Sequence, residues 1–308
     1  MTHDRATAQP ASGPLGLIGL GLVGTALAQR LTAAGFEIVG FDVREEAREA
    51  LRAAGMRVAS SPDEIGRACQ VVMLAVFDTQ GVIDATEGPQ GLVAGGAVRT
   101  LIDCSTGVPE VLEALAGRLA QRGIDFIEAP LSGSSSQIAA GEATLLLGGD
   151  AEAIEQHESV LAALSTRRIH LGGAGAGARA KLATNLVLGL NRAALAEGIV
   201  LAESMGIAPA RFVELVLATP ARSEAALAKG AMMVSGEFAP QSRIRQHLKD
   251  VDLMLDHGLR SGQRLPLSET HAELMRAAVA AGDGELDNAA ILRQMRRERH
   301  APTPPDKT

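Results

Sequence analysis

The chain has 308 residues, a formal net charge of −7, 46% hydrophobic residues and 2% aromatic residues. This length and apolar content suit two folded domains and exclude a wholly disordered chain. The negative charge and the lack of aromatic platforms argue against a nucleic-acid-binding protein.

The chain carries no signal of export or of a membrane span. Residues 1–13 are polar, and the longest apolar stretch, Leu186–Ala202, is interrupted by Asn191, Arg192 and Glu197. Such a stretch is typical of a buried helix rather than a transmembrane one. The two cysteines are too few for a disulfide framework. We therefore expect a cytoplasmic protein without membrane contact.

Short apolar runs alternate with helical segments from Leu15 to Leu171. The predicted strands are Leu15–Ile18, Glu37–Phe41, Val71–Val76, Leu101–Asp103, Asp125–Ile127, Thr144–Leu147 and Arg168–Leu171. Most are apolar for several consecutive residues, as are strands buried on both faces of a parallel sheet. The pattern predicts a doubly wound α/β (Rossmann) domain.

Helix signals lie between these strands. Ala26–Ala34 ends at Gly35, a residue type common after a helix. Ser61–Glu64 predicts a capping box with Pro62 at the first helical position, and Pro109 opens a helix that runs to Arg122.

Beyond the glycine-rich run 172–177 only helical periodicity remains. It covers 178–205, 209–218, 221–234, 243–260, 267–280 and 287–297. We therefore predict two domains, a Rossmann domain over 14–172 and an all-α domain over 173–300.

The first strand is followed by a glycine-rich turn, Gly19-Leu20-Gly21-Leu22-Val23-Gly24, that opens a helix. Gly19 allows a tight turn, Gly21 lets the backbone approach a pyrophosphate, and Gly24 allows close packing of the helix. The free N–H groups at the helix start favour bound phosphates. This context predicts a dinucleotide-binding site.

Asp42 follows the second strand, where an acidic side chain meets the adenosine ribose. A carboxylate there repels a 2′-phosphate and favours NAD. Arg44 is able to hold such a phosphate, so NADP stays open as the second choice.

Four blocks of sequence together resemble the β-hydroxyacid dehydrogenases, which include 3-hydroxyisobutyrate dehydrogenase and belong to the 6-phosphogluconate dehydrogenase superfamily. The blocks are the glycine turn, Glu128-Ala129-Pro130-Leu131-Ser132-Gly133-Ser134, the spacing Gly175–Lys181–Asn185, and Lys249-Asp250. The resemblance runs from about Leu15 to Leu292. It implies hydride transfer between NAD(P) and a small β-hydroxyacid or semialdehyde.

The resemblance assigns the acid/base role to Lys181. Lys181 and Asn185 are four residues apart on a predicted helix, so they share one face. Alcohol oxidation needs a base for the hydroxyl proton, and a lysine serves if its pKa falls from about 10.4. Lys249 would lower that pKa if the fold brings it near, and Asn185 would hold the substrate oxygen or orient the lysine.

Further site residues follow from the same resemblance. Ser132, Gly133 and Ser134 are expected to bind the substrate, although Ser134 stands where the family has a second glycine. Thr106 would contact the nicotinamide side of the cofactor. Ala75 and Val76 would border the adenosine, and Lys249 also belongs to the predicted cofactor-binding residues.

Two alternatives stay open. Imine reductases share this architecture but generally lack the lysine, and a non-catalytic dinucleotide-binding module would also lose it. The scattered histidines have no metal-ligand spacing, so we predict no metal. The apolar helical half predicts a homodimer or tetramer.

Overall fold

The computed structural model of the protein describes residues 13–298, and the chain divides into two compact units between Ala183 and Thr184. We call them unit 1 and unit 2. The predicted tails, 1–13 and 301–308, lie outside the described residues except for Gly13.

Unit 1 contains a six-stranded parallel sheet. Its strands are β1 (Leu15–Ile18), β2 (Ile38–Phe41), β3 (Arg57–Val58), β4 (Val71–Leu74), β5 (Thr100–Asp103) and β6 (Asp125–Glu128). The order is β3-β2-β1-β4-β5-β6, and every neighbouring pair is parallel. The four central strands are buried along their whole length, which explains the apolar sequences of β1, β2 and β4; β5 also buries Thr100 and Asp103 at its two ends. The predicted doubly wound sheet is confirmed.

Helices connect these strands. Those of unit 1 are α1 (Leu22–Ala33), α2 (Glu45–Ala53), α3 (Pro62–Ala68), α4 (Thr79–Glu87), α5 (Leu92–Gly95), α6 (Pro109–Ala120), α7 (Ser135–Ala140), α8 (Ala151–Gln156) and α9 (Glu158–Leu164). α1 buries Leu27 and Leu31 completely against the sheet, and Gly35 follows it with φ +90°. α6 begins at Pro109, as predicted.

The predicted capping box at Ser61 is wrong. Ser61 does precede α3, but its hydroxyl bonds the Asp63 carboxylate and caps no backbone N–H. Glu64 instead accepts hydrogen bonds of 2.7 Å from both the backbone N–H and the hydroxyl of Ser60. The neighbouring serine competes for Glu64 because its hydroxyl and N–H both face the carboxylate.

The last two predicted strands do not extend the parallel sheet. They form a second sheet, β7-β8-β9, from Leu131–Ser132, Thr144–Leu147 and Arg167–His170. β7 pairs antiparallel with β8, and β8 pairs parallel with β9. A two-residue strand such as β7 leaves too short a pattern to be predicted from sequence.

Unit 2 is helical. The long helix α10 (Ala176–Ser204) carries residues of both units, and it is followed by α11 (Pro209–Ala218), α12 (Glu224–Ser235), α13 (Ile244–Ser261), α14 (Pro266–Ala280), a short 3₁₀ helix (Asn288–Ala290) and α15 (Ile291–Arg297). Residues 184–298 include one isolated bridge, Arg243–Asp287, but no strand. The predicted all-α C-terminal half is confirmed.

Within residues 13–298, α10 is the helix with the length and hydropathy needed to cross a membrane. Of its most apolar 18-residue window, 44% is buried in the protein itself. Core helices have the same length and composition, so these two properties are weak evidence for a span.

Candidate active site

The glycine turn has the geometry expected of it. Gly19 has φ +92°, and a Cβ there would lie 2.3 Å from the Ala75 carbonyl oxygen. A Cβ on Gly24 would lie 1.8 Å from the Gly19 carbonyl oxygen. Gly24 therefore packs against the turn itself, and both positions exclude any larger residue for reasons internal to the protein.

Gly21 differs from these two glycines. A Cβ on Gly21 would meet no atom within 4 Å. Packing within the protein therefore does not require glycine at this position, whereas close approach of a ligand backbone or phosphate would. Gly21 also precedes α1 without any side-chain cap, so the first N–H groups of α1 fit an anionic pyrophosphate.

Asp42 ties the glycine turn to the end of β2. Its Oδ2 accepts a 2.7 Å hydrogen bond from the Leu20 N–H, and its Oδ1 accepts from the Arg44 N–H at 2.9 Å. The Arg44 guanidinium also donates to both oxygens, from Nε at 3.0 Å and Nη2 at 3.1 Å. Burial opposes ionisation, but the hydrogen bonds from Arg44 and Leu20 outweigh it and lower the pKa of Asp42.

Two further segments adjoin the glycine turn at the carboxyl ends of β4 and β5. The Ala75 N–H donates to the Ile18 carbonyl at 2.8 Å, and the Val76 N–H donates to the Ser105 hydroxyl at 3.0 Å. Thr106, next to Ser105, is buried. The structure thus gathers Ala75, Val76 and the Ser105-Thr106 segment at the edge of the sheet where doubly wound folds bind ligands.

Lys181 lies on the second turn of α10 and is 9% exposed. Its Nζ donates a 2.6 Å hydrogen bond to the Leu131 carbonyl oxygen. Leu131 directly precedes the predicted substrate residues Ser132, Gly133 and Ser134. The lysine therefore reaches the start of the predicted substrate loop within unit 1.

Asn185 and Lys249 meet at one carboxylate within unit 2. The Asn185 Nδ2 donates to Asp250 Oδ2 at 3.0 Å, and the Lys249 ammonium lies 2.8 Å from Asp250 Oδ1. Asn185 and Asp250 are both 5% exposed. Asp250 fixes the amide orientation of Asn185 and balances the charge of Lys249.

In the predicted substrate loop, 132–134, the two serines have different surroundings. Ser134 caps α7, since its hydroxyl accepts from the Gln137 N–H at 3.3 Å and its N–H donates to Gln137 Oε1 at 2.8 Å. Ser132 is half-buried on β7, beside Thr144 of β8. Ser132 and the backbone of Gly133 are therefore better suited to a ligand than Ser134, whose hydroxyl also contacts that of Ser136 at 2.9 Å.

Metal-binding clusters and reactive thiols are two other features that could carry chemistry. Among residues 13–298, no group of three or more His, Cys, Asp or Glu side chains could hold a metal ion. Cys104 is buried, and burial followed by the nearby Asp103 charge raises its thiol pKa far above the ordinary value. A thiol that stays protonated is a poor nucleophile.

Two contacts of this site have no signature in the sequence. The Leu131 carbonyl oxygen that accepts the hydrogen bond from Lys181 is a main-chain atom. The sequence places Asp250 beside Lys249 but does not indicate its contact with Asn185. The carboxylate of Glu128, at the head of the second block, also faces the start of α10. Its only signal in the sequence is its place as the first residue of the second block, Glu128–Ser134.

The matched families cover both halves of the chain. Residues 14–172 match the NAD-binding domain of 6-phosphogluconate dehydrogenase, and residues 175–295 match the NAD-binding domain of NADP-dependent 3-hydroxyisobutyrate dehydrogenase. The chain is 33% identical to L-threonate dehydrogenase of Cupriavidus necator, over 91% of this chain and 95% of that enzyme.

Solved structures give the same architecture. The 3-hydroxyisobutyrate dehydrogenase of Salmonella typhimurium is 25% identical, with a TM-score of 0.82 over 91% of this chain and 99% of that chain. An imine reductase from Pseudomonas sp. is 23% identical, with a TM-score of 0.59 over 92% of this chain and 100% of that chain. The second likeness extends to the fold alone.

Proposed function

The chain belongs to the β-hydroxyacid dehydrogenase family, and we propose that Lys181 is the group that moves the proton in its reaction. The protein is an NAD(P)-dependent oxidoreductase of small hydroxyacids or semialdehydes. The observation that carries the proposal is the placement of Lys181, buried and hydrogen-bonded to the residue before the substrate loop.

The chemistry divides between the cofactor and the lysine. NAD(P), when bound, would supply the hydride acceptor for oxidation of the carbinol carbon, or the hydride donor for the reverse reduction. As the neutral amine, Lys181 takes the hydroxyl proton, so that the alcohol becomes a carbonyl; in reduction, the ammonium returns a proton to the carbonyl oxygen. The bond to the Leu131 carbonyl uses one N–H and holds Nζ at a fixed point, while Asn185 is proposed to hold the substrate oxygen.

The residues fit a dinucleotide whose pyrophosphate lies on the glycine turn. We propose that Gly19, Leu20, Gly21, Leu22, Val23 and Gly24 hold the phosphates, with Ala75, Val76, Thr106 and Lys249 as further contacts. Asp42 would accept hydrogen bonds from the ribose hydroxyls, because its carboxyl stays ionised at neutral pH. We favour NAD over NADP on this ground. All the proposed cofactor contacts except Lys249 lie in the proposed Rossmann domain, residues 14–172.

The substrate proposed is a small hydroxyacid whose carboxylate meets Ser132 and Gly133. A hydroxyl and a backbone N–H are suitable donors for such an anion. The likeness to an L-threonate dehydrogenase supports threonate as one candidate substrate. A screen of cofactor reduction with threonate, glycerate and 3-hydroxyisobutyrate tests this, and turnover of cyclic imines alone would contradict it.

Replacement of Lys181 by alanine tests the catalytic role. We expect Lys181→Ala to lower kcat by about 10²–10⁴-fold, as loss of an acid/base group does, with the Kd for NADH unchanged. The matched control is Arg179→Ala, an exposed cation two residues earlier on α10 that pairs with Glu113 at 2.9 Å. Activity of Lys181→Ala within tenfold of wild type would refute the assignment.

We also propose a homodimer or tetramer formed through the helical half, proposed as 173–300. Large apolar side chains are exposed on unit 2, namely Val187, Leu201, Met205, Leu215, Leu227, Leu259 and Leu267. These side chains are candidates for burial between subunits in such an assembly. A monomeric mass by light scattering would contradict this proposal.

We further propose a cytoplasmic location. Recovery of the protein in a membrane or secreted fraction would contradict it.

A further inference from the structure

Glu128 holds the beginning of the helix that carries Lys181. We propose that Glu128 is a positioning residue, which clamps the first turn of α10 to the end of β6 and thereby fixes the location of Lys181 Nζ. The inference rests on the proposed function, because it gives Glu128 its importance through Lys181.

The clamp consists of two hydrogen bonds. Glu128 Oε2 accepts from the Gly177 N–H at 3.2 Å, and Oε1 accepts from the Ala178 N–H at 3.2 Å. The first N–H groups of a helix have no partner within the helix, and a negative charge is favourable at that end. One buried carboxylate, 1% exposed, thus serves two adjacent N–H groups at the start of α10.

Two glycines make the space for this carboxylate. A Cβ on Gly148 would lie 2.4 Å from Glu128 Oε2. A Cβ on Gly177 would lie 2.9 Å from Glu128 Cβ and 2.7 Å from the Leu146 carbonyl oxygen. Side chains at either position would push the helix start away from β6, so the sequence is fitted to close contact at this point.

A second bond links the same two segments of chain one turn further on. Lys181 is four residues after Gly177, and Leu131 is three residues after Glu128. The Lys181–Leu131 bond of 2.6 Å therefore lies beside the two bonds of Glu128. If the first turn of α10 shifts, the backbone of Lys181 shifts with it, and Nζ leaves its position beside the substrate loop.

The charges around Glu128 do not provide a simple ion pair. Asp103 lies opposite Glu128 in the register of β5 and β6. The charge of Glu128 acts on Arg179 of α10, whose principal partner is Glu113. Burial, supported by the Asp103 charge, raises the pKa of Glu128 to about 7, against the lowering effect of the N–H groups of α10. The backbone of α10 is thus the principal stabilising partner of this carboxylate.

The test is Glu128→Gln, which keeps the size of the side chain but turns one of its two acceptors into a donor. We expect kcat to fall roughly 10- to 100-fold, the scale of a displacement of about 1 Å at a catalytic group. The Kd for NADH, by fluorescence titration, should stay within twofold of wild type, since the glycine turn is untouched. Glu128→Asp keeps both acceptor oxygens on a shorter side chain, so its kcat should lie between those of wild type and Glu128→Gln.

Glu113→Gln is the matched control. Glu113 also pairs with the start of α10, through Arg179, but its side chain is 40% exposed, so Glu113→Gln should change kcat less than twofold. An unchanged kcat in Glu128→Gln, or parallel losses of kcat and NADH binding, would overturn the inference. If Glu128→Gln does not fold, Glu128→Asp decides in the same way. If Lys181→Ala remains active, the proposed function fails first; if Lys181→Ala is inactive and Glu128→Gln is not, only the clamp is refuted.

Discussion

The carboxyl ends of β2 and β6 carry buried carboxylates that perform the same mechanical task with different electrostatics. Asp42, just after β2, accepts the N–H of Leu20 and so holds the turn before α1. Glu128, at the end of β6, accepts the N–H groups of Gly177 and Ala178 and so holds the start of α10. In each case a carboxylate ties a helix start to the sheet.

The difference lies in the partner charge. Arg44 donates to both oxygens of Asp42, and these bonds with the Leu20 N–H keep the pKa low despite burial. Glu128 is desolvated beside Asp103, and its pKa is raised to about 7. The carboxylate of Asp42 remains ionised in the neutral range, as the proposed ribose contact requires, whereas that of Glu128 changes charge within that range.

The largest effect is expected for a substitution in the glycine turn, which should impair cofactor binding. Gly24→Ala places a Cβ 1.8 Å from the Gly19 carbonyl oxygen, an overlap between backbone groups that no side-chain rotation relieves. We expect the glycine turn to be displaced and NADH affinity to fall roughly a thousandfold, about 4 kcal/mol. Isothermal titration with NADH measures this.

Gly117→Ala is the control for this substitution. A Cβ on Gly117, within α6, would meet nothing within 4 Å, so that variant should bind NADH normally. A Gly24→Ala protein that binds NADH within tenfold of wild type would show that the turn is not the phosphate site. Asp42 would then hold a turn that has no part in cofactor binding.

The sequence predicts the contacts of Asp42 better than those of Glu128, because the partners of Glu128 lie much further away along the chain. The glycine turn acts within six consecutive residues, and Asp42 stands at a recurrent spacing after it. Glu128 and Gly177 are 49 residues apart, and the Lys181–Leu131 bond joins residues 50 apart. No local pattern reports such contacts, although the blocks that contain them were recognised.

The fold shows the same limit. The parallel sheet is predictable from sequence because its central strands are buried on both faces and therefore mostly apolar. β7 has two residues and carries no such pattern, so the separate sheet β7-β8-β9 was missed. The antiparallel pairing of β7 with β8 sets Ser132 opposite Thr144, a placement that the predicted parallel pattern does not contain.

The pH dependence of stability should sharpen the contrast. The folded pKa of Glu128, about 7, exceeds its ordinary value of 4.5. Between these values the unfolded chain has released the proton while the folded chain retains it, so Glu128 makes the protein less stable as pH rises through this window, by on the order of 3 kcal/mol. Urea unfolding followed by circular dichroism at pH 5 and pH 8 should show this loss in wild type and a smaller loss in Glu128→Gln.

Asp42 predicts the opposite behaviour in the same experiment. Its folded pKa lies below the ordinary 3.8, so its stabilising contribution is complete above that value and disappears only as pH falls below it. The difference between wild type and Asp42→Asn should therefore be equal at pH 5 and pH 8. If Glu128→Gln and wild type also change in parallel, the two carboxylates do not differ as described.

The smallest expected effect concerns cofactor choice. Asp42→Asn removes the charge that repels a 2′-phosphate and releases the Arg44 guanidinium, which is 55% exposed on its side chain and able to bind that phosphate. We expect the ratio of kcat/KM for NADH to that for NADPH to fall about tenfold, the scale of one charge-assisted interaction. The control is Glu45→Gln, which changes a neighbouring exposed acid paired with Arg48 and Arg52 and should leave the ratio unchanged.

A wild-type preference for NADPH would reverse the assignment and make Arg44, not Asp42, the group that selects the cofactor. Asp42 would then serve the turn and hold Arg44 in place, which would make its role as purely positional as that of Glu128.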